Sequence, residues 1–211
     1  MENKIYSKVF FWMFLGLLVT FATSMYTSTN IDALSVIFTK GGYWILVILE
    51  LVIAIFLGVR IHKMKPTTAK ICFLLYAFLT GLTFSSLFIV YKLTSIIAIF
   101  GVTSVLFLIF AAIGRYTKLD LSKLGTFLFM GLIGVIILSI VSIFVPALNL
   151  GLAILSIIIF LGYIAFDIQM IKRREGMMDD ENLAVYCAFQ LYIDFINIFL
   201  DLLRIFGDTS D

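Results

Sequence analysis

Apolar residues along this chain fall into seven long runs separated by short polar connectors, and each run is close to the length an α-helix needs to cross about 30 Å of hydrocarbon. Bounded by charged and turn-forming residues, the runs predict spans at 9–28, 43–61, 70–91, 94–113, 124–145, 151–171 and 184–206. A transmembrane β-barrel would instead show alternating segments of roughly ten residues, and none is present. The connectors contain no Pro/Gly/Ser-rich linker and no low-complexity segment, so residues 1–211 read as one all-α, seven-span transmembrane domain. The start, with Lys4 and Lys8 ahead of an apolar run, imitates a signal peptide. No small-x-small cleavage site follows, and the segment reads as a retained first span.

Composition agrees with lipid as the solvent. At 63% hydrophobic and 13% charged residues, with a mean hydropathy of +1.15, 211 residues have too little polar surface to cover a soluble globule. A net charge of +2 gives no reason to expect a nucleic-acid partner. The two cysteines, Cys72 and Cys187, lack metal or disulfide spacing and read as packing thiols. His62, the only histidine, sits in a basic connector and reads as a loop-edge residue.

Basic residues set the orientation, because Lys and Arg are retained on the cytoplasmic side of short loops. Lys4 and Lys8 and the groups within 60–70, 115–123 and 172–174 place twelve on one side, against Lys40, Lys92 and Arg204 on the other. The expected topology is N-terminus in, C-terminus out. Small residues inside the spans, such as Gly131, Gly134, Thr80, Gly81, Thr83, Ser85 and Ser86, read first as packing points where backbones approach closely.

The last span departs from this apolar pattern. Gln190, Asp194, Asn197, Asp201 and Arg204 follow at intervals of 4, 3, 4 and 3, which places all five on one helix face over about 21 Å. A carboxylate facing acyl chains costs several kcal/mol, roughly 3 on insertion scales, so the seventh helix is expected at the centre with six others around it. An amphipathic helix lying in the interface is the competing reading, but such helices favour Lys and Arg on the polar face, and this stripe is acidic or neutral.

Glu50 and Arg60 in the second span and Asp167 in the sixth are the other ionisable groups at membrane depth. Depth arithmetic sets Glu50 level with Arg204 toward the outside, and Arg60 level with Asp167 or Asp194 toward the inside. Both helices take ten-residue steps between the two levels, about 15 Å of rise. Asp167 and Asp194 carry the most chemistry. Two carboxylates close together in a poorly hydrated interior cannot both ionise cheaply, so they share a proton and titrate as a unit. Deprotonated, they offer oxygens to a hard cation such as Ca²⁺. Two carboxylates fall short of the roughly six to eight oxygens Ca²⁺ prefers, which makes the site weak and transient, as a conduction path requires. A buried ion-pair network that only fixes helix register is the alternative, and Asp201 has the simpler option of pairing with Arg204 one turn on.

The run Leu191–Tyr192–Ile193–Asp194–Phe195–Ile196–Asn197–Ile198–Phe199–Leu200, continued by Leu202–Leu203–Arg204–Ile205–Phe206–Gly207, resembles the signature of the Bax inhibitor-1 (transmembrane BAX inhibitor motif) family. Tyr163–Ile164–Ala165–Phe166–Asp167–Ile168–Gln169–Met170–Ile171 is similar to that family's sixth-span aspartate motif. The resemblance implies a central seventh helix and a pH-sensitive Ca²⁺ leak. It gives Asp167 and Asp194 the part of a di-aspartyl sensor, Arg60 that of a cytoplasmic-side latch, and Glu50 with Arg204 that of a second intramembrane pair. Asp201 departs from the neutral residue usual in bacterial members. The short acidic tail from Gly207 departs from the Lys-rich tail of animal endoplasmic-reticulum members and implies a prokaryotic plasma membrane.

Three other functions compete. A proton-coupled secondary transporter could use the same two aspartates, although no inverted repeat or interrupted helix pair is evident. An intramembrane aspartyl protease lacks its Gly-x-Gly-Asp signature here, and Phe166 rather than Tyr precedes Asp167. An interaction scaffold would need more surface than these short loops offer. The expected partners are therefore lipid, Ca²⁺ as permeant ion and protons; no tightly bound cofactor, no enzymatic activity and a monomeric chain complete the expectation.

Overall fold

The computed structural model describes residues 2–39 and 41–210; Lys40, counted above among the outer basic residues, lies outside them. Among the described residues the secondary structure is helical: α1 (Glu2–Ser28), α2 (Ile31–Thr39), α3 (Gly42–Arg60), α4 (Pro66–Phe84), α5 (Leu87–Val90), α6 (Leu93–Tyr116), α7 (Ser122–Ser142), α8 (Asn149–Arg174) and α9 (Asp180–Phe206). There is no β-strand among them, only an isolated antiparallel bridge between Tyr91 and Thr209. Among the described residues, seven segments are long and apolar enough to cross a membrane, and each coincides with one of the seven runs.

The helices outrun the apolar runs. The first, sixth and seventh spans begin at Lys4, Pro146 and Asp180 rather than at 9, 151 and 184. Polar residues at these ends do not stop a helix, because water solvates the first free amides and side chains cap them. Asp179 shows this for α9, its Oδ1 accepting from the Glu181 amide at 2.9 Å and the Asn182 amide at 3.4 Å. Pro66 occupies the first turn of α4, where its missing N–H costs nothing.

Two features depart from the sequence reading. A nine-residue helix, α2, fills the connector between the first and second spans, capped by Asn30 Oδ1 on the Ala33 amide at 3.1 Å. The third span is interrupted at Ser85 and Ser86, between α4 and α5, a break that its continuous apolar run does not show.

The chain forms two compact units. The first comprises Met1–Lys92, Arg174–Tyr192 and Thr209–Asp211; the second, Leu93–Arg173 and Ile193–Asp208. Within the first, α1 packs chiefly on α4. A Cβ on Gly81 of α4 would meet the Thr20 carbonyl oxygen at 2.7 Å, and one on Gly16 of α1 would meet the Phe73 ring at 2.5 Å, so both contacts need glycine. The start of α9 is tied down by Glu181, which pairs with Lys70 at 2.7 Å and with Lys8, while Asn182 Nδ2 donates to the Met64 carbonyl at 2.8 Å.

In the second unit α8 is fixed by similar close approaches. A Cβ on Gly114 would fall 2.2 Å from the Ala165 carbonyl oxygen, one on Gly125 would fall 2.7 Å from the Phe166 ring, and one on Gly162 would fall 2.7 Å from Leu128. Gly131 packs against Ile159, but Gly134 faces open space and is not the packing point expected of it. Phe195 of α9 stacks on Phe100 and Phe107 of α6, with ring centres 5.2 and 5.9 Å away.

Candidate functional site

The stripe on α9 takes its environment from the helix that carries it. In the most apolar stretch of α9, 67% of residues are buried, against 11–33% in the other six spans. The two aspartates of the stripe therefore have little access to lipid. Asp194 and Asp201 are buried, Gln190 and Asn197 are half-buried, and Arg204 is exposed.

On α8 the buried positions recur at helical spacing through Ser156, Ile159, Phe160, Ile164 and Asp167, so Asp167 shares a face with apolar core residues. It is 2% exposed, and Asp194 is 4% exposed. Asp167 is the charged side chain that acts on Asp194, and Tyr163, one turn before Asp167, feels the charge of both. One oxygen of Asp194, Oδ2, is buried without a hydrogen-bond partner among the described residues. A buried acceptor in that state costs about 1–3 kcal/mol, more when charged, unless a proton, a water or a cation occupies it. The structure thus brings Asp167 and Asp194 into one electrostatic unit and leaves an oxygen open there.

The other residues of the stripe have local partners. Asn197 Nδ2 donates to the Ile193 carbonyl at 2.8 Å, closing on its own helix. Asp201 receives Arg204 Nη1 at 3.4 Å, one turn on, and lies within hydrogen-bonding reach of Ser156 on α8. In the other unit, Glu50 of α3 accepts a hydrogen bond from Thr83 Oγ1 of α4, with Thr80 nearby. Arg60, the last residue of α3, is exposed, and His62 lies exposed in the 3₁₀ turn that follows. Among the described residues, no three His, Cys, Asp or Glu side chains gather in a way that would hold a metal ion, so cation binding at Asp167 and Asp194 would depend on water and backbone oxygens.

The contacts that the end of α8 makes beyond the pair were not legible in the sequence. Gln169, two residues past Asp167, clasps the connector before α7: its Oε1 accepts from the Leu121 amide and its Nε2 donates to the Leu119 carbonyl, both at 2.8 Å. Arg173, one turn on, reaches Asp120 Oδ1 at 2.7 Å and also bonds Ser122. The Ser122 hydroxyl and amide, followed by Arg173, hold the Asp120 carboxyl down at about 2.

Comparison with known proteins places these residues in a wider set. The family model described as "Inhibitor of apoptosis-promoting Bax1" matches residues 2–211. An uncharacterized protein of Borreliella burgdorferi is 37% identical over 100% of this chain and 94% of its own length. The inner membrane protein YbhL of Escherichia coli K12 is 38% identical over 96% of this chain and 90% of its own. An uncharacterized protein of Rickettsia prowazekii is 36% identical over 97% and 89%.

Proposed function

Because the chain belongs to the Bax inhibitor family along its whole length, we propose that it is a pH-sensitive calcium leak of a prokaryotic plasma membrane, with Asp167 and Asp194 as proton sensor and cation site. The name of the Escherichia coli relative, an inner membrane protein, supports the location. The observation that carries the reading is the open, buried Oδ2 of Asp194, with Asp167 acting on the same carboxyl. Two carboxyls so disposed exchange protons as one unit. When deprotonated they offer a hard cation its first oxygens in a site too sparse to hold it, which suits passage rather than storage.

The remaining charges fit supporting parts. With the N-terminus cytoplasmic, Arg60 stands at the cytoplasmic end of its span as a latch on the carboxylates. Glu50 and Arg204 belong to the outer half, where Arg204 also offsets Asp201. The protein acts as a conduit rather than an enzyme.

Purified protein in calcium-loaded liposomes tests this. Calcium should leave down its gradient without ATP, at a rate that titrates through a single apparent midpoint. Asp194→Asn should flatten that titration, and Arg60→Ala should raise the basal leak. An unchanged titration in Asp194→Asn would remove the aspartate pair from the mechanism. Obligatory coupling of flux to a proton gradient would replace the leak with a secondary transporter, and cleavage of a membrane-spanning peptide would replace it with a protease.

A further inference from the structure

The connector between the second and third spans, in the first unit, gathers charge that no acidic side chain neutralises. Arg60 closes α3, Ile61–Lys63 form a 3₁₀ turn, and Pro66 opens α4, so Arg60, His62, Lys63 and Lys65 all fall within residues 60–65. The four side chains are exposed, and Arg60, Lys63 and Lys65 form no ion pair among the described residues. Three other cations of the same unit are engaged: Glu181 takes Lys8 and Lys70, and Arg174 lies over the Tyr186 ring at 5.2 Å.

The backbone beneath the exposed charges is held. Ile61 is fully buried, and the Met64 amide donates to the Ile61 carbonyl at 3.2 Å. The Met64 carbonyl accepts from Asn182 Nδ2 of α9 at 2.8 Å, and Asn182 is itself 3% exposed. Retention of Lys and Arg on one side of a membrane accounts for the presence of these charges. It does not account for a pinned turn that leaves them unpaired. Like charges displayed together repel one another, and a counter-charge relieves the repulsion. The first turn of α4 adds to the same field, because it has neither an acidic residue nor a side-chain cap.

The surroundings favour an amphiphilic counter-charge. The second span ends at Lys63 and the third begins at Pro66, which sets the connector at the level of lipid headgroups. α3 is apolar and exposed up to this point at Ile55, Phe56 and Val59, and α4 resumes that character at Ile71 and Leu75. A dissolved anion would use the charges alone, whereas a phospholipid uses the charges and the apolar helix surface beside them. Guanidinium and ammonium donors both suit phosphate oxygens.

We propose that residues 60–65 bind the headgroup phosphate of an anionic phospholipid, with Arg60, Lys63 and Lys65 as its cations and Asn182 as the positioning residue that holds the turn. With the N-terminus cytoplasmic, this lipid belongs to the inner leaflet. Binding is measured without ion flux, so this proposal and the calcium leak fail separately.

Native mass spectrometry of the full chain in mild detergent provides the test. Dioleoylphosphatidylglycerol should bind more tightly than dioleoylphosphatidylcholine. Lys63→Gln and Lys65→Gln should each weaken phosphatidylglycerol binding about five-fold, the worth of one basic residue at an anionic surface, and leave phosphatidylcholine binding unchanged. Lys4→Gln removes an exposed charge from α1 and should change neither. Asn182→Ala alters no charge, yet it should weaken phosphatidylglycerol binding while phosphatidylcholine binding holds. Millimolar inorganic phosphate should leave the bound lipid in place. Equal binding of the two lipids, undiminished phosphatidylglycerol binding in Lys63→Gln or Asn182→Ala, or a Lys4→Gln effect as large as that of Lys63→Gln would overturn the proposal. Displacement by inorganic phosphate would overturn it too, by giving the connector to a soluble anion.

Discussion

Gly114 and Ala165 approach so closely that a side chain on the first would collide with the backbone of the second, its Cβ lying 2.2 Å from the Ala165 carbonyl oxygen. Backbone cannot rotate aside as a flexible side chain can, so α6 and α8 must part to admit even one methyl, two residues from Asp167. Gly114→Ala should cost about 1–3 kcal/mol, in the range of overpacked cores. For a chain of this size that is a fall of roughly 2–4 °C in Tm per kcal/mol. Gly134→Ala is the control: nothing lies within 4 Å of its Cβ, and the gain in helix propensity, up to about 1 kcal/mol, should hold or raise Tm. Thermal unfolding followed by fluorescence in detergent distinguishes the two, and equal shifts would refute the close-contact account.

Gln169 should matter beyond its size. Both ends of its amide are used on backbone groups of the connector, Leu121 N–H and Leu119 C=O. Gln169→Ala removes both bonds at once, each worth about 0.5–1.5 kcal/mol. Amide exchange at Leu121 should accelerate several-fold while exchange in the α8 core stays unchanged. Uniform acceleration along α8 would mean that Gln169 supports the helix and not the connector.

The same connector should respond to acid. Asp120 is held at about 2, first by the Ser122 hydroxyl and amide and then by Arg173. That is below the ordinary aspartate value of about 3.9. A depressed carboxyl favours the folded arrangement above its ordinary value and loses that contribution as pH falls toward its folded value. Exchange in the connector should thus be flat from neutral pH to about 4 and rise below it, and Asp120→Asn should open the connector at neutral pH. Since the Ser122 bonds come first, added salt, which screens the exposed Arg173 contact, should have little effect. A strong salt response would give Arg173 the leading part.

How much of this was legible beforehand depended on whether the signal was local. Seven crossings could be read because each is a continuous apolar run, and the α9 stripe could be read because helical periodicity aligns Asp194, Asn197 and Asp201. The helix ends were misplaced because Lys4, Asp180 and their neighbours interrupt hydropathy without interrupting backbone hydrogen bonds. α2 escaped notice because nine residues between two spans are too few for a periodic signal, and the break at Ser85 and Ser86 because serine is unremarkable in a membrane helix. At the site, opposite charges were legible and neutral partners were not. Depth arithmetic set Glu50 level with Arg204, but nothing in the sequence pointed to the Thr83 hydroxyl bonded to Glu50, or to the amide of Gln169 holding residues some fifty positions away.

Thr20 and Tyr192 offer a test of whether the buried hydroxyls are energetically coupled. Their oxygens are 2.6 Å apart, and both residues are buried. Thr20→Val keeps the volume and removes the acceptor, stranding the Tyr192 O–H where water cannot reach it; the expected loss is about 1–3 kcal/mol. Tyr192→Phe removes the other partner, but Thr20 keeps its bonds to the Gly16 and Ala77 carbonyls, so the loss should be smaller, near 1 kcal/mol. With both changes no orphaned group remains, and the double variant should be more stable than the sum of the single losses predicts. Residues in one hydrogen-bonded network typically show coupling of roughly 0.5–3 kcal/mol. Additive losses, measured by reversible unfolding in mixed micelles, would mean that the two hydroxyls sit side by side without holding one another.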